Sequence, residues 1–405
     1  MNASKTKDGE AHARMLWLKW SGGGNLTPSL GIARALTKRG HTIAFAVPPE
    51  MVQSVEAAGF RTIEISQAYA QIDCYPRGHV LTRAACYLTS PAVEAQVKKI
   101  VDAEAPDIVL IDAMFLAALA QAPHFGRPSV LFVYTFLFRQ IDNLRKILRL
   151  FDGMRQQAGF APLPKLDDLW RSRERIIATS FGDFDAPPGS GWDMVRRTGP
   201  VLEDEKFATP WALPWAENDP TPLVMVSFST EVEQRDVNKL QRSLDALATL
   251  SVHVVATTGG IVAPNELTAP KNAIVLDYVA HDLIMQRAAL VLTHGGHGTA
   301  MRALRHGVPL VIIPGTGDQS FVAAAVQEWG AGRALPVDAS VDAIRAAAQE
   351  VLFTPQYRDN ARQRSVAFAG VDAAANAANE IESVLRDRCE GSTPRREKAT
   401  DRSAE

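Results

Sequence analysis

From Met15 onward the chain alternates between short apolar runs and stretches in which apolar residues return every three or four positions. The first run, MLWLKW (15–20), has the length and character of a strand. A glycine-rich turn follows. Leu30, Ala33 and Leu36 then recur at helical spacing, with Arg34, Thr37 and Lys38 on the opposite face. Thr27 suits an N-cap, Pro28 the first helical position and Gly40 a left-handed C-terminal cap. HTIAFAV (41–47) supplies the next strand and closes a β–α–β unit, which implies parallel strands and a right-handed crossover. The pattern continues with a helix over 51–59, a strand over 60–65 and a helix over 92–104. DIVLID (107–112) and PSVLFVYT (128–135) are continuous apolar runs, as strands buried on both faces require. Residues 136–177 turn helical, and their aromatics Phe136, Phe138, Phe151, Phe160 and Trp170 read as core.

TPWALPWAENDPTP (209–222) carries four prolines and reads as an extended linker. A second alternating set begins after it. Strands are expected at 223–229, 252–257, 273–279, 289–294 and 310–314. Helices are expected at 235–250, from 299, and over 319–329, 341–352 and 356–387. The polar tail 388–405 reads as disordered. The pattern predicts an α/β protein of two doubly wound, Rossmann-like domains facing a cleft, one over 14–208 and one over 223–387, with the last helix able to pack back on the first domain.

Composition narrows the partners. With 405 residues, 46% hydrophobic, 22% charged and a net charge of -2, the chain has a soluble globular balance and no polyanion-binding bias. Cys74, Cys86 and Cys389 form no CxxC pair and fit a reduced, cytoplasmic setting. The first fourteen residues are polar, without a secretory signal, and PSVLFVYTFLF (128–138) is too short to span a bilayer.

The chemistry concentrates in ALVLTHGGHGTAMRALRHGVPLVIIPGTGDQSFVAAAVQEWGAG (289–332). A strand ends at Thr293, a tight loop runs through His294, Gly295, Gly296, His297 and Gly298, and a helix follows from about Thr299. Glycines let backbone amides approach an anion, and a helix N-terminus adds unpaired N–H groups and a positive dipole end. That combination suits a diphosphate. No lysine precedes Thr299, so it is not a Walker loop. In the next loop, Asp318 and Gln319 suit hydroxyl recognition. His294, His297 and His306 lack an acid or cysteine nearby to complete a metal set. His79 and His124 read as loop histidines, and Arg302 as an exposed helix residue.

H-G-G-x-G-T, then G-V-P, then P-x-x-x-D-Q resembles the donor signature of family 1 nucleotide-sugar glycosyltransferases of the GT-B fold, bacterial macrolide type. The resemblance spans nearly the whole ordered chain. It implies that His294 donates to the donor diphosphate, with Gly296, Gly298 and Thr299 supplying amides and a hydroxyl, and with Ser229 and Thr230 facing the same phosphates. The Val279 backbone would pair with the base beside Tyr278, and Asp318 and Gln319 would hold sugar hydroxyls. The implied activity is inverting transfer of a hexose-type sugar from UDP or TDP to a small hydrophobic acceptor such as a natural product, with no required metal. A silent nucleotide-sugar-binding protein and a nucleotide-sugar epimerase are the alternatives.

Two departures stand out. A ribose-clamping Glu of the family falls at Arg302, a donor-only cation. In the family's G-H-x-x-P loop the histidine deprotonates the acceptor and an Asp orients it; here GNLTP puts Asn25 at that place, while LIDAMF keeps the acid as Asp112. An amide is no general base at pH 7. The expectation is that Asp112 takes the proton, directly or through a water held by Asn25, its pKa raised by burial. A loop histidine, an acceptor needing no strong base, or an inactive protein are the other possibilities.

Overall fold

A computed structural model describes residues 12–391 apart from 78, 80, 172, 204–210, 217 and 230–233. Two parallel sheets organise it. The first contains β1 (Arg14–Leu18), β2 (Thr42–Val47), β3 (Arg61–Glu64), β4 (Ile108–Asp112), β5 (Ser129–Val133), β6 (Arg175–Ala178) and β7 (Val195–Arg197), in the order β3-β2-β1-β4-β5-β6-β7. The second contains β8 (Leu223–Ser227), β9 (His253–Thr257), β10 (Ala273–Leu276), β11 (Ala288–Thr293), β12 (Leu310–Ile312) and β13 (Gly332–Ala334), in the order β10-β9-β8-β11-β12-β13. Every residue of β4, β5 and β8 is buried, because helices cover both faces.

Each sheet reverses its winding once. The chain leaves β1 toward β2 on one side and β4 toward β5 on the other; β8 and β11 repeat the arrangement. The strand ends flanking these two reversals leave a crevice where open α/β sheets bind ligands.

Several boundaries differ from the periodic pattern. The first helix is Leu26–Lys38, entered through a single 3₁₀ turn at Gly23–Asn25, so Thr27 lies inside it and Asn25 occupies the N-cap position. Asn25 makes no side-chain cap bond there, because its amide points to Asp112 and the Trp20 carbonyl. The stretch 136–177 holds helices Ile141–Gln157 and Leu166–Arg171 but ends in β6, and the short strands β7 and β13 were not evident in the pattern. The helix expected over 356–387 is two helices, Pro355–Ser365 and Ala373–Gly391, separated by a 3₁₀ turn and by Gly370 at φ 70°. The second continues through 388–391, where disorder was expected; the rest of that tail lies outside the described residues.

That break sends the last helix back to the first sheet. Ala377, Ala378, Ile381 and Val384 pack in one cluster with Trp17, Ile32 and Leu36, and Glu382 pairs with Arg39 at 2.9 Å. Below the cleft, Phe136 from the first domain meets Trp329 edge-on at 6.0 Å, and Arg139 pairs with Glu328 at 2.8 Å.

Candidate active site

The first crevice lies between the ends of β1 and β4. Asp112 is the last residue of β4 and is fully buried. Lys19, one residue past β1, is also fully buried, and its Nζ stands 2.8 Å from Asp112 Oδ2. Asp112 Oδ1 accepts from Tyr134 OH at 2.6 Å and from Trp17 Nε1 at 3.3 Å. Its Oδ2 also faces Asn25 Nδ2 at 3.3 Å and the Trp20 amide at 3.4 Å. Lys19 Nζ in turn reaches Ser29 Oγ at 2.7 Å and the Asn25 carbonyl at 3.2 Å. Burial pushes the Asp112 carboxyl up and the Lys19 amine down, and their attraction pulls each back toward its charged form.

To take the acceptor's proton, as expected of it, Asp112 would have to give up bonds that it already makes. A carboxylate offers about four lone-pair sites, and five donors already surround this one. Accepting a proton would require expelling Tyr134 or Lys19 from a buried network. Asn25 is different. Its Nδ2 donates to Asp112 and to the Trp20 carbonyl, whereas its Oδ1 is buried with no hydrogen-bond partner. Of the loop histidines, His79 and His124 are both exposed, and His79 Nδ1 accepts from the Leu81 amide.

The second crevice lies between β8 and β11. His294 follows β11 directly, Gly295 takes φ 86°, and Gly296 is the N-cap of helix His297–Arg305, two residues earlier than expected. The amides of His297, Gly298 and Thr299 therefore form the first turn and have no partner within the helix. His294 Nε2 stands 2.6 Å from where a Cβ on Gly296 would be, so a side chain there would push the His294 ring from its place. Nothing lies within 4 Å of where a Cβ on Gly298 would stand, so the surrounding protein does not demand a glycine there. Burial, opposed by a hydrogen bond to the Ser227 backbone and helped by the charge of Lys239, lowers His294 to about 4 and leaves the ring neutral at pH 7.

Other predicted residues distribute around this loop. Ser229 is buried at the end of β8, whereas Thr230 lies outside the described residues. Val279 is buried and Tyr278 is 47% exposed beside it. Asp318 is half-buried at the N-cap of helix Gln319–Glu328, with its carboxyl pushed up by burial. The Gln319 amide is engaged: Oε1 accepts from the Gly315 amide at 2.7 Å and Nε2 donates to Gln234 Oε1 at 2.7 Å.

The three histidines weighed as ligands go separate ways. His297 meets Phe136 edge-on at 5.1 Å, and His306 Nε2 pairs with Asp282 Oδ1 at 2.6 Å. Among the described residues no group of three His, Cys, Asp or Glu is arranged to hold a metal. Arg302, read as an exposed residue, is buried, pairs with Asp282 and donates to the Glu203 carbonyl at 2.8 Å. Burial would raise Asp282, but His306, Arg302 and Arg305 outweigh it and hold the carboxyl at about 2. Arg302 is thus a strut between the domains.

Lys19, Tyr134, Lys239 and the Ser227–Thr257–His281 cluster were missed. The signal for Lys19 was available: a lysine inside MLWLKW must find a carboxylate if the run is buried. His281 Nε2 lies 3.2 Å from Ser227 Oγ, a pairing across distant segments that no local pattern announces.

Known proteins resemble this chain in sequence and in fold. Residues 241–383 match the family model described as erythromycin biosynthesis protein CIII-like, C-terminal domain. 4'-Demethylrebeccamycin synthase of Lentzea aerocolonigenes is 26% identical over 92% of this chain and 100% of its own. Over nearly its whole length the chain is similar to macrolide and other natural-product glycosyltransferases. The calicheamicin glycosyltransferase CalG4 shares the GT-B fold at a TM-score of 0.75, with 22% identity over 93% of this chain and 98% of its own. The spinosyn rhamnosyltransferase SpnG, solved with thymidine diphosphate, matches at a TM-score of 0.71 and 20% identity over 91% of this chain and all of its own. In this glycosyltransferase the β8/β11 crevice keeps the signature loop, and the β1/β4 crevice holds Asn25 and an internal ion pair.

Proposed function

We propose that the chain is an inverting glycosyltransferase moving a hexose-type sugar from a uridine or thymidine diphosphate donor to a small hydrophobic acceptor. One observation carries the donor half: an open glycine loop and the free first turn of helix His297–Arg305 at a strand-end crevice, beside a neutral His294. The amides of residues 297–299 and an N–H of His294 face the diphosphate, with Ser229 on its far side. SpnG binds thymidine diphosphate on the same fold, which keeps TDP beside UDP as a donor nucleotide.

The acceptor half rests on Asn25. Its Oδ1 is the unpartnered acceptor of the β1/β4 crevice, suited to receive an O–H and aim its oxygen at the anomeric carbon. The acceptor oxygen forms the new bond, the bond from the anomeric carbon to the β-phosphate oxygen breaks, and its electron pair leaves with the diphosphate. The cradle stabilises that charge. Asn25 orients without removing a proton, and Asp112 is held by Lys19. The acceptor group therefore binds to Asn25 as its neutral O–H and is acidic enough, as a phenol or a carboxylic acid is, to lose that proton to solvent before its oxygen attacks.

The test is a thermal-shift panel of UDP, TDP and their common sugars, followed by acceptor-dependent diphosphate release with phenols, carboxylic acids and alcohols. Donor stabilisation with release on phenols or acids is expected. Binding without release across the panel would indicate a silent protein, and isomerised sugar nucleotide formed without acceptor would indicate an epimerase.

A further inference from the structure

Lys239 is a buried cation that makes no close ion pair among the described residues; Asp236, the cap of its own helix, acts on it only at longer range. It is the third residue of helix Val237–Leu247, whose N-terminus is capped by Asp236 through the Lys239 amide at 2.8 Å. The side chain is only 7% exposed. Among the described residues no carboxylate lies within 4 Å of its Nζ, and the group nearest in character is the Phe228 ring, 5.8 Å away at its centroid. The contrast with Lys19 is direct, since that ammonium has Asp112 at 2.8 Å.

The position of the amine matters as much as its isolation. Lys239 Nζ stands 3.9 Å from where a Cβ on Gly315 would be, and Gln319 Oε1 stands 2.9 Å from the same point. The helix thus aims the amine at the junction of the two loops that flank the β8/β11 crevice. Burial lowers the amine, and its charge in turn lowers His294 across the crevice. A buried ammonium without an anion is costly unless something supplies the charge.

Resting on the donor reading above, we infer that Lys239 binds an anionic oxygen of the donor, and specifically the β-phosphate that becomes the leaving group. The α-phosphate and nucleoside side of the donor then depend on Ser229 and the first-turn amides. A carboxylate on the sugar is the other anion that this junction has room to meet.

Titration calorimetry on the full chain separates these cases, using TDP, TMP, UDP and UMP against wild type, Lys239→Met and Lys239→Arg. Loss of one charge-assisted contact corresponds to roughly 10–100-fold in affinity. Lys239→Met is expected to lose about that for TDP and UDP while TMP and UMP change less than about threefold, and Lys239→Arg is expected to recover most of the loss. The free Lys239→Met protein should melt at or above the wild-type temperature, since a buried charge without a close ion pair among the described residues has been removed. Equal losses for mono- and diphosphates, no loss, or a lowered melting temperature would overturn the assignment. So would a loss confined to nucleotide-linked uronic acids, which would move the contact to the sugar carboxylate. If the wild type binds none of the four nucleotides, the donor reading itself fails, before any variant is compared.

Discussion

Between β1 and β4 the crevice is filled from within: Lys19 and Asp112 neutralise one another at 2.8 Å, and Tyr134, Trp17 and Ser29 complete their bonds. Between β8 and β11 the equivalent crevice holds no such close ion pair among the described residues. It is lined by first-turn amides with no partner within their helix, a neutral His294 and Lys239, which makes no close ion pair among the described residues. The same topology places a buried lysine near each crevice and uses the two in opposite ways. A lysine with an internal partner contributes stability and is closed to ligands. Lys239, without a close ion pair among the described residues, is the one that the proposal above gives to the donor's anion. The difference teaches where to look for the donor's charge, and it explains how the acceptor side can keep its acid yet lose its base.

The comparison breaks most readily at Lys19. Lys19→Met strands a buried carboxylate and should cost about 3–5 kcal/mol in urea unfolding, whereas Lys19→Met/Asp112→Asn should recover most of it. A single-variant loss below about 1 kcal/mol would remove the ion pair as the reason Asp112 is unavailable. Nucleotide affinity should be unchanged in the double variant, because the donor crevice is separate.

A smaller effect distinguishes the domains by pH. His281 and His294 are lowered to about 4 and His297 to about 3, each chiefly by burial. An unfolded histidine titrates near about 6.5, so below that pH the unfolded chain binds more protons than the folded one. Stability is therefore intact above about 6.5 and falls as the pH drops toward 4. Hydrogen exchange at pH 7 and pH 5 should show β8 and β11 losing about 1–3 kcal/mol of protection relative to β1 and β4. Equal loss in both sheets would mean that the three histidines are not buried neutral.

What the sequence disclosed follows from which interactions are local. DIVLID and LVMVS announced buried parallel strands because both faces had to be apolar, and the spacing of HGGHGT located the loop and helix start within two residues. The break before Ala373 was hidden, since both helices flanking it are periodic and only Gly370 marks the turn. The acceptor crevice was half legible. Asn25 and Asp112 are brought together as expected, at 3.3 Å, but Asp112's availability depended on Lys19, 93 residues away in the chain and adjacent only through strand pairing. Arg302 was misread for the same reason, its partners Asp282 and Glu203 being supplied by other segments.

The central claim is that no side chain of the β1/β4 crevice removes the acceptor's proton. The most direct measurement is the pH dependence of kcat/KM for a series of phenolic acceptors whose own pKa values span several units. The account predicts an acid limb whose apparent pKa moves with each phenol, with rates rising as the phenolate fraction rises. An acid limb at one fixed pKa for every acceptor, shifted or abolished in Lys19→Met/Asp112→Asn, would contradict it and return the proton to Asp112.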